Sequence, residues 1–203
     1  MARSPRSADE GDVLKRLLWR RIGLGVAFSL CLTLFLADAL KPLVLKAYYR
    51  VDYLHLILSA SQRYDVSPHL VAAVVFTESR FREEARSEVG AVGLMQLMPS
   101  TAAEMAERVG MQDYGPESLP RPAVNIELGV AYLHYLQRRF TDESMMLAAY
   151  NAGPTLVETW SSDGRAIPYP ETREFVASVR RHKIRLGELY PDWSAGSAQS
   201  GSP

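Results

Sequence analysis

The stretch from Ser67 to Pro99 constrains the fold most, because it places one carboxylate at the end of an otherwise apolar helix. Its first half reads SPHLVAAVVFTE, in which a serine and then a proline occupy the positions that favour a helix start. The residues that follow are apolar on nearly every side, and such a helix should be buried. The sequence therefore predicts an N-cap at Ser67 and a buried helix that ends near Glu78.

Glu78 is the candidate acid of this helix. Residues four apart share a helix face, so Leu70, Val74 and Glu78 should line up and place the carboxyl near the negative end of the helix dipole. Burial and a nearby negative charge both raise a carboxyl pKa, and such an acid can donate a proton near neutral pH. The alternative is a helix-end glutamate that reaches solvent or pairs with Arg80 or Arg82. From the helix alone, that alternative describes the commoner situation.

The loop after the helix changes this weighting. It reads GAVGLMQLMP, and Gly90 and Gly93 permit backbone conformations and close approaches that a side chain would block. Gln96 lies between bulky apolar neighbours, and a side-chain amide in such a place must find hydrogen-bond partners. An amide both donates and accepts, which suits a polymer with many hydroxyl and acetamido groups. The loop therefore favours a saccharide site beside the buried acid.

Several motifs follow one another along the chain in a characteristic order. They are ES-F, A-S-x-x-GAVGLMQLMP-S-TA, NIELGVAYL and AYNAG. Together they resemble the catalytic domain of the soluble-type lytic transglycosylases, a family that shares the goose-type lysozyme fold. The resemblance covers residues 53–190. It implies a mainly α, lysozyme-like α+β domain with a short glycine-rich hairpin.

The resemblance also implies a peptidoglycan-cleaving site with a single acid. Glu78 would act as acid and then as base in breaking the β-1,4 bond from N-acetylmuramic acid to N-acetylglucosamine, and the product would carry a 1,6-anhydro-N-acetylmuramic acid end. Tyr150 would place its hydroxyl close to the acid, although its spacing alone favours core packing, and Glu171 would face the peptide stem. The residues that would bind the glycan strand are Ser87, Gln96, Tyr150, Asn151 and Glu171.

Two alternatives have the same motifs. Glycosidases usually employ two carboxylates, and a lysozyme-like hydrolase would need a second acid or a positioned water. The nearby glutamates lie in the charged stretch REEARSE, which is typical of a solvated turn. A non-catalytic, membrane-tethered scaffold that binds glycan as part of an envelope machine is the other alternative, and the sequence does not identify such a partner. The joint presence of the acid and the glycan-binding residues speaks against this alternative.

The same stretch departs from the family pattern. The family often reads F-N-P-x-A, whereas this chain reads FREEA before Ser87. The turn that leads to Ser87 is therefore expected to be built differently.

Charge and histidine spacing exclude other classes of function. The formal net charge is zero, so there is no basic excess to neutralise the phosphates of nucleic acid. The four histidines show no metal-ligand spacing, and we expect neither a metal nor another cofactor. The only cysteine, Cys31, lies in an apolar N-terminal run, so the domain that follows cannot hold an internal disulfide.

That N-terminal run predicts a membrane segment. Residues 1–21 carry six basic side chains, and residues 22–40 are apolar over almost the length of about 20 residues that a bilayer requires. Because positive charge stays inside, we expect a cytoplasmic tail (1–21), a single transmembrane signal-anchor (22–40), a tether (41–52) and a periplasmic domain (53–190) at the inner membrane. The alternative is a signal peptide cleaved near Ala37-Asp38-Ala39, which would release a soluble periplasmic protein.

The C-terminal third has weaker signals. Residues 154–170 show no clear period, which favours a loop whose Trp160 and Tyr169 border a saccharide groove or simply lie on the surface. A last helix should open at Glu171. Residues 191–203 are too small and polar to order themselves, so they predict a disordered tail.

Overall fold

The computed structural model describes residues 6–162 and 166–193, and the chain divides into two units, residues 1–49 and 50–203. The described part of the first unit contains one helix, α1, Arg6–Tyr48. The parts of the predictions that concern residues 1–5, 163–165 and 194–203 lie outside the described residues.

Helix α1 has the dimensions of a membrane span. Its segment Lys15–Tyr48 is long and apolar enough to cross a bilayer, and none of the apolar window is buried inside the structure. The helix continues through Pro42 to Tyr48, so the first part of the predicted tether is helical. A signal sequence satisfies the same criteria of length and composition, and the anchor at residues 22–40 therefore stays a prediction.

The second unit is built mainly from helices, and in most of them a proline occupies the first turn, where its missing N–H costs nothing. A single 3-10 turn, Pro116–Ser118, precedes α5. The α-helices described in this unit are α2 Leu54–Tyr64, α3 Pro68–Glu78, α4 Pro99–Arg108, α5 Pro122–Arg139, α6 Glu143–Ala152, α7 Pro154–Ser162 and α8 Pro170–Leu189.

Helix α3 lies at the centre of the unit. It is buried from His69 to Phe76 and packs against α2 and α8, while α5 packs against α2, α4 and α6. The predicted buried helix ending at Glu78 is confirmed. The predicted cap is only half right, because Ser67 occupies the N-cap position but its side chain makes no capping hydrogen bond.

Residues 154–162 correct one prediction, because they form helix α7 rather than a loop. Gly153 ends α6 with a φ of 91°, and Pro154 then starts the next helix with its fixed φ. The helix is short, and among its residues 154–160, whose burial is described, Val157 and Trp160 are the buried ones, three positions apart, so its period is hard to see in the sequence. Trp160 is 5% exposed and packs 5.4 Å from the ring of Tyr169, so it belongs to the core and cannot stack on a sugar.

The last helix and the residues after it extend the described domain beyond the predicted boundary. Helix α8 begins at Pro170, one residue before the predicted start. Residues 191–193 form a helical turn in which Trp193 stacks on Tyr190 and on His69. His69 in turn makes a 2.8 Å hydrogen bond to the Tyr190 carbonyl oxygen. These contacts attach residues 191–193 of the predicted tail to the N-terminal end of α3.

Candidate active site

Glu78 is the last residue of α3, and its side chain is half-buried. Burial raises the pKa of this carboxyl to about 8. Within the described residues the carboxyl forms no hydrogen bond and no ion pair, so nothing there stabilises its charged form. The structure therefore presents a carboxylic acid that keeps its proton at neutral pH.

The arginines that follow α3 do not neutralise this acid. The guanidinium of Arg80 lies 5.2 Å from the centre of the Phe76 ring. Arg82 donates from Nε to the carbonyl oxygen of Ser79 at 3.1 Å. Neither forms an ion pair with Glu78 in the described part of the chain. The alternative of a helix-end ion pair is therefore wrong for this glutamate.

The chain reverses direction immediately after Glu78. Arg80 and Phe81 both have positive φ, 51° and 61°, a conformation that costs energy for residues other than glycine. The hydroxyl of Ser79 donates to the carbonyl oxygen of Leu94 at 2.8 Å. This bond holds the end of α3 against the segment that carries the family's second motif.

That segment, residues 85–97, is called here the glycine loop. Arg86 pairs with Val92 and Val92 with Leu97 in two isolated antiparallel bridges, and the predicted short glycine-rich hairpin takes this form. Gly93 has a φ of 81° and donates to the carbonyl oxygen of Ala85 at 2.8 Å. The loop thus folds back on itself beside Glu78.

Ser87 stabilises the tip of the glycine loop. Its backbone N–H donates to the carbonyl oxygen of Ala91 at 3.0 Å, and its hydroxyl oxygen accepts the backbone N–H of Ala91 at 2.9 Å. The hydroxyl proton is not used in this pair. Ser87 can therefore still donate a hydrogen bond to a ligand.

Asn125 of α5 holds the glycine loop through side-chain hydrogen bonds. The sequence analysis did not identify it as a functional residue. The side chain is fully buried; its oxygen accepts the N–H of Met95 at 2.8 Å, and its nitrogen donates to the carbonyl oxygens of Val92 and Leu119 at 2.9 and 3.1 Å. The available signal was a polar residue on the buried face of an amphipathic helix, because such a residue must find partners.

Two glycines allow the loop to approach α5 closely. A Cβ atom at Gly93 would lie 2.4 Å from the side-chain nitrogen of Asn125, and one at Gly129 would lie 2.3 Å from the sulfur of Met95. Both distances are far below van der Waals contact. A larger residue at either position would therefore have to displace Asn125 or Met95, and glycine lets the loop lie close to the helix.

Gln96 uses its amide group to hold the same loop. Its φ is 46°, and its side-chain nitrogen donates to the carbonyl oxygens of Ala85 and Gly93 at 3.0 and 2.9 Å. The side-chain oxygen accepts no hydrogen bond from the described residues. The predicted need for partners is thus met by the backbone, and one acceptor is left for a ligand.

Tyr150, near the end of α6, satisfies both interpretations of its role. Its hydroxyl donates to the carbonyl oxygen of Met95 at 2.7 Å, and its ring packs 5.4 Å from Tyr132 and 6.2 Å from Phe175. Burial first, and then the charge of Glu78, raise the pKa of this hydroxyl well above its usual value. Tyr150 is therefore both a core residue and a neighbour of the acid.

Asn151 and Glu171 lie on the exposed side of the same region. The side-chain oxygen of Asn151 accepts a 2.9 Å hydrogen bond from the buried hydroxyl of Thr172, in the first turn of α8. This bond occupies the amide oxygen and leaves the amide nitrogen available. Glu171 is exposed beside Thr172.

The structure brings all six predicted site residues to one cavity of about 390 Å³. Its wall also includes Val89, Met98, Thr101 and Tyr132, which the sequence analysis did not assign to the site. A second cavity, of about 750 Å³, is lined by three of the same residues and extends toward Tyr53. Because the two cavities share part of their walls, they form a groove on either side of the acid. The residues common to both cavities are Glu78, Ser87 and Gln96.

The charged turn before Ser87 is part of this groove. Glu83 and Glu84 are exposed, as predicted for a solvated turn, but they also line the second cavity. The carboxylate of Glu83 accepts a 2.9 Å hydrogen bond from the hydroxyl of Tyr53. The residues that depart from the family pattern therefore lie in the wall of the groove.

Comparison with known proteins gives a consistent assignment. The family described as the transglycosylase SLT domain matches residues 55–168. The soluble lytic murein transglycosylase of Salmonella typhimurium is 39% identical over 127 residues, which cover 57% of this chain and 20% of that protein. Membrane-bound lytic murein transglycosylase C of Haemophilus influenzae is 37% identical over 113 residues, which cover 50% of this chain and 31% of that protein.

Solved structures show the same fold. An inactive mutant of the lytic transglycosylase Slt from Pseudomonas aeruginosa superposes with a TM-score of 0.67 at 31% identity, over 75% of this chain and 26% of that one. The 70 kDa soluble lytic transglycosylase of Escherichia coli gives the same TM-score over 71% of this chain and 25% of that one.

These matches confirm the mainly helical, lysozyme-like fold. The chain spans only about a fifth to a third of the length of the curated relatives it matches. The matched region nevertheless covers more than half of the chain and includes Glu78, the glycine loop and α6. The chain therefore belongs to the transglycosylase SLT domain family.

Proposed function

We propose that this protein is a peptidoglycan lytic transglycosylase. It cleaves the β-1,4 bond from N-acetylmuramic acid to N-acetylglucosamine and leaves a 1,6-anhydro-N-acetylmuramic acid end. The observation that carries the proposal is the Glu78 carboxyl, which has a pKa of about 8, has no partner among the described residues and lies where two cavities meet. The names of the relatives, which are lytic murein transglycosylases, support the same reaction class.

The proposed reaction uses one acid twice. Protonated Glu78 first donates its proton to the glycosidic oxygen, the bond to C1 breaks, and the sugar's acetamido group or an oxocarbenium-like state carries the positive charge. The ionised carboxylate then accepts the proton of the sugar's 6-hydroxyl as that oxygen bonds to C1. Glu78 ends the cycle protonated, and no water is consumed. A 6-hydroxyl held close to C1 makes the second step effectively unimolecular.

The groove offers polar atoms to hold the strand. The Ser87 hydroxyl proton, the Gln96 side-chain oxygen and the Asn151 amide nitrogen are not used by the hydrogen bonds described above. In this proposal they bind hydroxyl and acetamido groups of the glycan, and Glu171 lies further out on the same cavity. Tyr150 acts beside the acid and also supports the glycine loop through Met95.

A lysozyme-like hydrolase is the second candidate, because Glu83 lies on the same groove as Glu78 and could serve as a second carboxylate. Its carboxylate is bound to the Tyr53 hydroxyl at the far wall, and no described residue positions it toward Glu78. A non-catalytic scaffold is less well supported, because burying an unpaired acid costs stability and serves no purpose in a surface that only binds glycan.

The pH dependence of cleavage tests the proposed acid. The pKa of about 8 keeps the proton on Glu78 below pH 8, and deprotonation above it removes the donor. We expect kcat/KM on purified peptidoglycan to fall above about pH 8 by roughly tenfold for each further pH unit. The measurement is the initial rate of soluble fragment release between about pH 6 and pH 10. A rate that stays constant or rises over the alkaline range would contradict the assignment.

We also propose that α1 anchors the chain in the inner membrane, with the tail 1–21 in the cytoplasm and the catalytic domain in the periplasm. The apolar segment of α1 and the basic residues at its N-terminal side support this orientation, as does the membrane-bound name of one group of relatives. A reporter active only outside the cytoplasm, fused after Tyr190, should give signal. Recovery of the domain in the soluble periplasmic fraction would instead favour cleavage near Ala39.

A further inference from the structure

The second cavity has a charged wall that the proposed cleavage reaction does not use. It begins at Glu78 and carries Arg82 and Arg86 together with Glu83 and Glu84, and we call it the arginine cavity. All four charged side chains are exposed. At neutral pH they place two positive and two negative charges beside the acid.

The backbone beneath these charges is held in place. Phe81 is 8% exposed, and its ring lies 6.4 Å from that of Phe76 in the core. Positive φ at Arg80 and Phe81 turns the chain sharply after α3. Nε of Arg82 is bonded to the Ser79 carbonyl oxygen, which orients the base of the guanidinium. The backbone of residues 80–82 is therefore held by packing and by a hydrogen bond, and it forms a defined wall of the arginine cavity.

The carboxylate of Glu83 is also fixed. The Tyr53 hydroxyl donates to it at 2.9 Å, and this bond is the first cause of the raised pKa of Tyr53. Tyr53 itself has a φ of 58° at the start of α2. One negative charge of the cavity thus has a defined position.

The two guanidinium groups have no acidic partner. Neither Arg82 nor Arg86 forms an ion pair within the described residues, although Glu83 and Glu84 line the same cavity. A guanidinium presents several N–H donors in a planar fork, and this arrangement matches a carboxylate. Unpaired arginines on the wall of a substrate groove are therefore suited to carboxylates of the substrate.

We propose that the arginine cavity is a specificity site for a zwitterionic peptide substituent on the glycan. Arg82 and Arg86 bind the carboxylates of this substituent, and Glu83 and Glu84 bind its ammonium group. The inference rests on the proposed function, because it is the cleavage at Glu78 that brings a substituted sugar to this position. A strand without peptides keeps only the lactyl carboxylate of each N-acetylmuramic acid, and it offers no ammonium group to Glu83 and Glu84.

A comparison of two substrates tests this inference on the full chain in detergent micelles. One substrate is peptidoglycan strands with their peptides, and the other is the same strands after an amidase has removed the peptides, which leaves one lactyl carboxylate and no ammonium group on each N-acetylmuramic acid. We expect the wild type to prefer the first, and the double variant R82A/R86A to lose about tenfold in kcat/KM on it, mainly through KM. The charge-preserving variant R82K/R86K should restore part of this loss.

Arg138→Ala provides the matched control, because Arg138 is an exposed arginine on α5 that lines neither cavity of the groove. It should leave the preference between the two substrates as it is in the wild type. Thermal unfolding of each variant establishes that the fold is retained. Equal losses by R82A/R86A on both substrates, or a wild type without preference, would overturn the inference.

Binding of the same two strand types is measured in parallel by co-sedimentation. If the wild type cleaves neither substrate, the proposed function fails, and binding then decides the inference alone. Retention of peptide-bearing strands by the wild type but not by R82A/R86A supports the specificity site. Equal retention by the two proteins rejects it.

Discussion

Glu78→Gln is expected to abolish cleavage and to leave the fold and glycan binding intact. The amide is nearly the same size as the acid but can neither donate nor accept the catalytic proton. General acid–base catalysis typically contributes about 10²–10⁴-fold, and here one residue performs both transfers, so we expect kcat to fall by at least about 10³-fold. The measurement is the rate of fragment release from purified peptidoglycan at pH 6–7, where the wild-type acid with its pKa of about 8 is protonated.

Glu88→Gln is the matched control, because it makes the same chemical change at an exposed glutamate that lines neither cavity of the groove. It should cleave at the wild-type rate. The stability of Glu78→Gln should also be close to that of the wild type, because the carboxyl has no partner in the described residues to lose. Cleavage by Glu78→Gln above one tenth of the wild-type rate would remove Glu78 from the catalytic role.

Asn125→Ala is expected to give the largest loss of stability. It removes the Asn125 partner of the Met95 N–H and of the Leu119 carbonyl oxygen, and one of two partners of the Val92 carbonyl oxygen, which also accepts the N–H of Leu97 at 3.1 Å. Each lost hydrogen bond costs about 1 kcal/mol, and unsatisfied buried groups cost more, so the free energy of unfolding should fall by about 3 kcal/mol or more. Urea unfolding of the full chain in detergent, followed by near-ultraviolet circular dichroism, measures this change.

The same variant should also lose activity, because the glycine loop carries Ser87 and Gln96 and is held over α5 by Asn125. Arg138→Ala, on the same helix but exposed, should change the free energy of unfolding by less than about 0.5 kcal/mol. A similarly small change for Asn125→Ala would show that the loop is held by its other contacts, namely the Ser79 bond to Leu94 and the Tyr150 bond to Met95.

Much of the local structure could be predicted because its causes are local. Proline at the first turn marks the start of α3, and the apolar run after it predicts burial that the structure confirms. Glu78 could be identified from the same apolar run, because a carboxylate buried at its end must lose its charge or find a partner. The order of the motifs then predicted the family and its fold.

The contacts that build the groove were harder to predict, because they join residues far apart in the sequence. Asn125 reaches residues 92 and 95 across about thirty positions of chain, and no periodicity reports such a bond. Tyr150 was assigned either to the core or to the site, whereas tertiary packing buries its ring and also places the residue on the wall of the cavity. The prediction for α7 failed because the buried residues described on this short helix, Val157 and Trp160, form too weak a pattern to distinguish it from a loop.

The charged stretch before Ser87 shows a different limit of sequence interpretation. Its residues are exposed, as its composition predicts, yet exposure does not reveal that they border a cavity. The backbone turn at Arg80 and Phe81 decides this, and positive φ at residues other than glycine has no clear signature in the sequence. The groove wall thus depends on a conformation that only the folded chain defines.

Cleavage by the wild type in isotope-labelled water tests the central claim most directly. Purified peptidoglycan is digested in water enriched in the heavy isotope of oxygen, and the masses of the fragments are measured by mass spectrometry. Internal attack by the 6-hydroxyl predicts fragments that are lighter by one water than hydrolysis products and carry no solvent oxygen. Fragments whose new reducing ends carry heavy oxygen would contradict the claim and assign the protein to the hydrolases.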